Sequence, residues 1–167
     1  MILDSIKNLS KNNKIRVYFD MDGVIASFDM ISGLSYAEKG FYTNKRPIKA
    51  SIKFAKYLNS LENVEIYILS NCHYKYQRKE KIDWLEQFAP FIKKENINII
   101  CFEEFDKDVD LIKLKANFFE QTLKTTNDSL VVIDDDIRHL NQMQQVTTLL
   151  PYHVSTLIEE LDFTKIW

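Results

Sequence analysis

Short apolar runs alternate along this chain with longer segments of helical periodicity. The runs are rich in β-branched and aromatic residues, which favour strands, whereas the longer segments carry apolar residues three and four positions apart, which favours helices. A short amphipathic helix is also predicted for residues 2–10. The predicted strands are Ile15–Phe19, Val64–Leu69, Ile97–Phe102, Leu130–Ile133 and a weaker one around Thr147–Val154, and the predicted helices are Lys49–Ser60, Tyr76–Phe88, Leu111–Lys124 and Ile137–Gln145.

This alternation predicts an α/β fold of three layers, Rossmann-like, in which helices cover both faces of a central, mostly parallel sheet. The chain has 167 residues, only three glycines and three prolines, and no repeat or low-complexity tract that would mark a linker. We therefore expect residues 1–167 to form a single domain. The segment at about 25–47, between the first strand and the next predicted helix, is expected to be a small helical cap insertion.

Composition and charge exclude several classes of protein. The formal net charge of −2 provides no general attraction for polyanions, so a nucleic-acid partner is not expected. No apolar run reaches the length of a secretory signal or a membrane span, which predicts a cytoplasmic protein without a membrane partner. Cys72 and Cys101 are too few for a disulfide scaffold and are read as reduced thiols. Oligomeric state has no signature in the sequence.

Three polar clusters follow directly after predicted strands. Asp20, Asp22 and Gly23 follow the first strand, Ser70 and Asn71 the second, and the triplet 134–136 of aspartates the fourth. The carboxyl ends of parallel strands meet at one edge of a sheet, where ligands bind. The sequence therefore predicts one functional site that contains all three clusters.

Asp20 and Asp22 lie two residues apart at the end of an apolar strand. Two close carboxylates repel each other unless a cation or a shared proton lies between them, and Mg²⁺ prefers such oxygen ligands. With a phosphate neutralised by this ion, Asp20 could attack phosphorus to form an aspartyl phosphate, and Asp22 could act as acid and base if its pKa is raised. The alternative is a pair of solvated acids in a turn.

The other clusters suit the same chemistry. Ser70 and Asn71 could hold phosphate oxygens, although a serine at this place is often only a helix cap. In the acidic triplet, a cation would relieve the repulsion, with Asp135 as the direct ligand and Asp134 acting through water or holding a lysine. Asp136 is expected to cap the helix that begins at Ile137.

A cationic side chain should bind the phosphate and pair with these acids. Lys115 is the preferred candidate because it opens a helix-like run before the fourth strand; the alternatives are Lys107, Lys113 and Lys124. Phe28 and Phe41 lie in the insertion that could cover the site, where their rings could stack on a base or simply pack. In the predicted helix 76–88, the apolar face is assigned to Ile82, Trp84, Leu85 and Phe88.

These motifs, in this order, resemble the haloacid dehalogenase (HAD) superfamily of phosphatases, which carries Asp-x-Asp-Gly, then Ser or Thr, then Lys, then an acidic pair. The resemblance implies that Asp20 is the nucleophile and Asp22 the acid and base. It implies that Ser70 and Lys115 bind phosphate and that Asp20, Asp135 and the Asp22 carbonyl bind Mg²⁺, with Asp134 beside them.

Finer features resemble the cytosolic type C 5′-nucleotidases, or 5′(3′)-deoxyribonucleotidases. They are the stretch DMDGVIASF at 20–28, Gly40-Phe41-Tyr42 ahead of Pro47, and the segment Lys81–Leu85 with its lysine and tryptophan. The insertion is much shorter than the cap of the mammalian-type enzymes, and Ser70-Asn71-Cys72 lacks the proline that often follows in the closer nucleotidases.

The sequence thus predicts an enzyme, a Mg²⁺-dependent phosphomonoester hydrolase whose partner is a small phosphorylated metabolite. A nucleoside or deoxynucleoside 5′-monophosphate is the leading substrate class. The alternatives are a phosphatase of a sugar phosphate or other small metabolite, and a non-catalytic phosphate-binding relative.

Overall fold

The computed structural model describes residues 2–28 and 34–160, the last three of these by their backbone only. Within these residues, strands and helices alternate as predicted. The strands are β1 (Ile15–Phe19), β2 (Val64–Cys72), β3 (Ile97–Cys101), β4 (Ser129–Asp134) and β5 (Leu150–His153), and the helices are α1 (Ile2–Ser10), α2 (Lys49–Leu58), α3 (Lys75–Phe88), α4 (Leu114–Leu123), α5 (Ile137–Met143) and α6 (Ser155–Glu160). Short 3₁₀ turns cover Lys94–Asn96, Phe102–Glu104 and Leu111–Lys113.

The strands form one sheet in the order β3-β2-β1-β4-β5, and every pairing is parallel. β1 lies at the centre, where Ile15 is opposite Val64 on one side and Ser129 on the other. Its apolar sequence suits this place, because a central parallel strand is covered on both faces. The predicted α/β fold is confirmed.

Helices cover both faces of the sheet and make three layers. Successive side chains of a strand point to opposite faces. Phe19 accordingly joins Phe54 of α2 and Trp84 of α3 in one buried cluster, whereas Tyr18 joins Phe119 of α4 in the other. This packing fixes which helices flank the carboxyl end of β1.

The insertion differs from its prediction. Its described residues, 25–28 and 34–47, form turns and isolated bridges of Ala26 with Asp22 and Pro47, not a helix. One reason is that the backbone N–H groups of Gly40 and Tyr42 donate to the Glu80 carboxylate of α3 rather than to carbonyls one turn earlier. Residues 29–33 of the insertion lie outside the described residues.

Among the described residues, none forms a helix that is both long enough and apolar enough to cross a bilayer.

Candidate active site

The first acidic loop is closed by its own backbone. The amide of Asp20 donates to the Ile133 carbonyl (2.9 Å), which continues the sheet by one residue. The Met21 carbonyl then accepts from the amides of Ile25 (3.0 Å) and Ala26 (2.8 Å), so the chain turns back at once. The Asp20 carboxylate is thereby held at the carboxyl edge, beside the end of β4.

Gly23 lies at the tip of this turn with φ +72°, a conformation that side-chain-bearing residues rarely adopt. A Cβ atom at this position would lie 2.1 Å from Oδ2 of Asp135. Glycine is therefore required here for two reasons, the backbone angle and the close approach of a carboxylate from the fourth strand.

Lys115 lies between two of the acids. Its Nζ atom is 2.6 Å from Oδ2 of Asp134 and 3.2 Å from Oδ1 of Asp20, and its side chain is only 1% exposed. Burial alone would lower the pKa of Lys115, but the two carboxylates outweigh it and raise the pKa above its usual value. The structure brings this lysine to the site and leaves the other candidates on the surface: Lys107, Lys113 and Lys124.

The acids themselves form a compact group. One carboxylate oxygen from each of Asp20, Asp134 and Asp135 lies within 4.8 Å of the other two. Burial, together with the neighbouring acids, raises the pKa of Asp135 to about 6, and burial raises the pKa of Asp20 as well. Asp134 is already engaged, because its Oδ1 atom accepts from the Asp136 amide (2.9 Å) and its Oδ2 atom from Lys115. Asp20 and Asp135 are thus the better placed oxygen donors for a hard cation.

Asp22 has a different environment from the one expected. Its Oδ1 atom is 2.8 Å from Nζ of Lys45, and its Oδ2 atom is 2.5 Å from Nζ of Lys81. Burial favours the neutral acid, but the two ammonium groups together outweigh it and hold the pKa of Asp22 below its usual value. The expectation of a raised pKa is wrong for this state of the protein. With its carboxylate bound to lysines, Asp22 could reach a metal only through its backbone carbonyl.

Ser70 and Asn71 remain in β2, which extends to Cys72. The Ser70 hydroxyl accepts a hydrogen bond from Lys81 (2.8 Å), so this serine is not a helix cap. Asn71 lines the cleft beside the acids, and both polar atoms of its amide are buried without a hydrogen-bond partner among the described residues. Buried polar groups normally have a hydrogen-bond partner, so this amide lacks one that water or a ligand in the adjoining cleft would supply.

A cleft of about 680 Å³ opens over these residues. Phe28 lies at its mouth with 66% of its surface exposed. Phe41 does not share this place: it is 5% exposed and packs edge-on against Tyr36 and Tyr42. The proposed base contact of Phe41 is therefore corrected, since hardly any of its ring faces a ligand. The apolar walls of the cleft are Phe28, Tyr36, Phe102, Leu111, Ile112 and Ile137.

Asp136 caps helix α5, as the sequence predicts. Its Oδ1 atom accepts from the Arg138 amide (2.8 Å), and its carboxylate also binds the guanidinium of that residue. These hydrogen bonds lower the pKa of Asp136 to about 2. The third acid of the triplet is therefore a structural group.

Lys45 and Lys81 are the site residues that the sequence analysis missed in this role. Lys81 has a signal in hindsight, because it occupies the same helix face as Gln77, Trp84 and Leu85, which the structure buries. A lysine on such a face indicates a buried partner. Ile82, which the pattern assigned to this face, is only partly buried. Lys45 lies in a polar run without apolar periodicity and gives no such signal.

Neither a protein-family model nor a curated protein matches the chain, so sequence comparison identifies no family. Solved structures do match. A chain of the Pnkp1/Rnl/Hen1 RNA repair complex superposes with a TM-score of 0.61 and 12% identity over 84% of this chain and 42% of its own length. The described chain thus spans less than half the length of that neighbour.

Two further neighbours are matched over most of their length. The class C acid phosphatase from Bacillus anthracis, with tungstate bound, gives a TM-score of 0.58 and 21% identity over 98% of this chain and 78% of its own. The HAD domain of the effector protein Lem4 from Legionella pneumophila gives a TM-score of 0.51 and 17% identity over 90% of this chain and 94% of its own. Identities this low report on fold alone. The chain therefore has the fold of HAD-type domains, which it shares with an acid phosphatase.

Proposed function

We propose that this protein is a Mg²⁺-dependent phosphomonoester hydrolase that forms an aspartyl phosphate on Asp20. One observation carries the proposal: a buried lysine lies between the Asp20 carboxylate and Asp134 at the carboxyl edge of a parallel sheet. A carboxylate nucleophile and a phosphate-binding ammonium group are thus already adjacent. Their burial at the floor of an open cleft leaves room for a substrate above them.

The residues fit a divalent cation. One oxygen from each of Asp20, Asp134 and Asp135 lies within 4.8 Å of the other two. Burial, and after it the charges of Asp20 and Asp134, raises the pKa of Asp135, and a cation would offset both effects. The absence of a side chain at Gly23 leaves the space that the Asp135 carboxylate occupies. Asp20 and Asp135 would hold Mg²⁺ together with the Asp22 carbonyl, and the bound ion would neutralise phosphate oxygens near the nucleophile.

Binding and attack can be assigned to residues of the chain. Lys115, the Ser70 hydroxyl and the unpartnered Asn71 amide would bind the phosphate oxygens. An oxygen of Asp20 then attacks phosphorus, a P–O bond to Asp20 forms, and the bond from phosphorus to the leaving oxygen breaks. The leaving oxygen takes a proton from Asp22. A leaving group whose conjugate acid has a low pKa departs as an anion without this proton.

Asp22 serves both halves of the reaction. Without a substrate, the positive charges of Lys81 and Lys45 keep the Asp22 carboxylate ionised. The negative charge of an entering phosphate favours proton uptake on this carboxyl group, which then protonates the leaving oxygen. Ionised again, Asp22 takes a proton from the water that hydrolyses the aspartyl phosphate and restores Asp20.

The cleft supports a nucleoside monophosphate over a sugar phosphate. Its walls above the acids are mainly aromatic and aliphatic, and the exposed ring of Phe28 at the mouth can stack on a base. A sugar would instead need several hydrogen-bonding side chains. Beside the apolar residues the lining contains the imidazoles of His73 and His139, and the guanidinium of Arg138 is already paired with Asp136. Phosphatase action on another small metabolite is the alternative.

The test is release of inorganic phosphate from a panel of phosphates, with and without Mg²⁺. The panel contains nucleoside and deoxynucleoside 5′- and 3′-monophosphates, sugar phosphates and, because one fold neighbour comes from an RNA repair complex, a 3′-phosphorylated oligonucleotide. We expect Mg²⁺-dependent turnover with preference for the mononucleotides and its loss in Asp20→Asn. This variant keeps the shape of the side chain and removes the nucleophile.

Each other outcome selects a different conclusion. Turnover confined to sugar phosphates would keep the mechanism and reject the nucleotide. Equal activity of Asp20→Asn and the wild type would reject the aspartyl phosphate. Wild-type protein that binds phosphate but turns over no phosphomonoester would favour the non-catalytic alternative.

A further inference from the structure

Lys45, from the insertion, reaches the first acidic loop without facing the cleft. Its Nζ atom is 2.8 Å from Oδ1 of Asp22 and donates to the Ser27 carbonyl at 3.2 Å. The side chain is 3% exposed. A buried ammonium group at this place cannot bind a substrate directly, so its effect on the site passes through the groups it contacts, of which Asp22 is the charged one.

Aromatic rings surround the same ammonium group. Nζ of Lys45 lies 4.9 Å from the ring centre of Phe28, 4.8 Å from that of Phe41 and 5.3 Å from that of Tyr42. The faces of such rings attract cations within about 6 Å. Nζ of Lys81 lies 4.4 Å from the centre of the Tyr42 ring, so this ring contacts both lysines that bind Asp22.

The backbone that carries Lys45 is fixed by helix α3. Four side chains on one face of this helix bind the insertion, and the last of them, Trp84, donates directly to the Lys45 carbonyl at 2.8 Å. These contacts hold the described residues 36–45 of the insertion against α3. The other three contacts are Tyr76 to the Ala37 carbonyl (2.6 Å), Gln77 to the Tyr36 carbonyl (2.7 Å) and Glu80 to the Gly40 amide (2.7 Å).

We propose that Lys45 is a positioning residue that fixes the orientation of the Asp22 carboxylate. Lys81 lies at ion-pair distance from Oδ2 and Lys45 from Oδ1, so two ammonium groups from different elements oppose rotation of the carboxylate. With either lysine absent, one oxygen would be free to turn away from the reacting atoms. This role rests on the proposed function, because it matters only if Asp22 transfers protons.

The experiment is a double-mutant cycle that combines Lys45→Met and Asp22→Asn, read with p-nitrophenyl phosphate and Mg²⁺. Methionine keeps the length and apolar character of the side chain within the aromatic rings. The leaving group of this substrate needs no proton, so kcat reports mainly the step in which Asp22 takes a proton from water. Lys107→Met, at an exposed position, is the matched control.

We expect Lys45→Met to lower kcat by about 10- to 100-fold with little change in KM, because an acid–base group contributes about 10²- to 10⁴-fold and losing its orientation removes part of that contribution. In the Asp22→Asn background the same substitution should change kcat by less than about twofold, since the group it positions is gone. Lys107→Met should match the wild type. Thermal unfolding of each variant identifies any loss that comes from unfolding.

Three results would overturn the role of Lys45 while the proposed function stands. An equal fractional loss of kcat in both backgrounds would show that Lys45 acts on the fold and not through Asp22. An effect on KM alone would mean that it acts on substrate binding. Unchanged kcat in a folded Lys45→Met variant would remove the role altogether. Wild-type protein that hydrolyses neither p-nitrophenyl phosphate nor any phosphate of the panel would refute the proposed function itself, and the role of Lys45 with it.

Discussion

Replacing Gly23 by alanine tests the connection between the first acidic loop and the cation site. The new Cβ would lie 2.1 Å from Oδ2 and 2.5 Å from Cγ of Asp135. The carboxylate would have to move away by about 1.3 Å or more to reach ordinary contact, whereas metal coordination tolerates only about 0.2 Å. We therefore expect Gly23→Ala to weaken Mg²⁺ binding by about tenfold or more and to lower kcat by about 100-fold.

The backbone supplies a second and separable effect. Gly23 has φ +72°, where a residue with a side chain costs about 1–2 kcal/mol. Gly40 has φ +88°, but a Cβ atom there would meet its nearest neighbours at 3.7 Å, which is ordinary contact. Gly40→Ala is thus a matched control, with similar backbone strain and no clash at the acids.

Urea unfolding and Mg²⁺ titration by calorimetry separate the two effects. Both variants should lose about 1–2 kcal/mol in the free energy of unfolding without Mg²⁺. Only Gly23→Ala should also lose Mg²⁺ affinity and activity. If the two variants retain the same Mg²⁺ affinity, the reasoning that places the cation beside Asp135 is refuted.

Two further predictions concern the charges of the site. Lys115→Met leaves two buried carboxylates without their cation, so the free energy of unfolding measured in urea should fall by about 3–5 kcal/mol. The control Lys124→Met, at an exposed position, should change this free energy by less than about 0.5 kcal/mol. Equal losses in the two variants would argue against the buried ion pair. The pKa of Asp135 is raised to about 6. As the pH rises from about 4 to about 6, the free energy of unfolding of the metal-free protein should therefore fall, because the unfolded chain ionises this group more readily than the folded protein does. Mg²⁺ should therefore raise the melting temperature strongly at pH 8 and progressively less as the pH falls through 6, and a pH-independent shift would contradict this.

Much of the site could be predicted because it depends on local patterns. The apolar run Ile15–Phe19 forms a strand wherever it packs, and the acids after it must lie at that strand's carboxyl end. Because parallel strands of one sheet share that edge, Ser70 and Asp134 follow to the same place. The periodicity of the segments between them predicts the helices to within a few residues.

The protonation and accessibility of individual groups could not be predicted in this way. Asp22 has a lowered pKa because Lys45 and Lys81 reach it from segments more than twenty and nearly sixty residues away. Phe41 is buried because Tyr36 and Tyr42 enclose it after the insertion folds onto α3. Neither outcome follows from the local sequence alone, because each requires the insertion to pack against α3.

The sequence by itself therefore determined the order of strands and helices, the edge where polar side chains gather and the acidic chemistry of that edge, because these follow from periodicity and from the geometry of parallel sheets. Only the tertiary structure decided which of four lysines reaches Asp20, which lysines neutralise Asp22 and which aromatic ring faces the cleft. Those choices depend on distances between segments remote in sequence. Electrostatic energies change steeply over a few ångströms, so the pairing of these charges is decided only when the remote segments pack together.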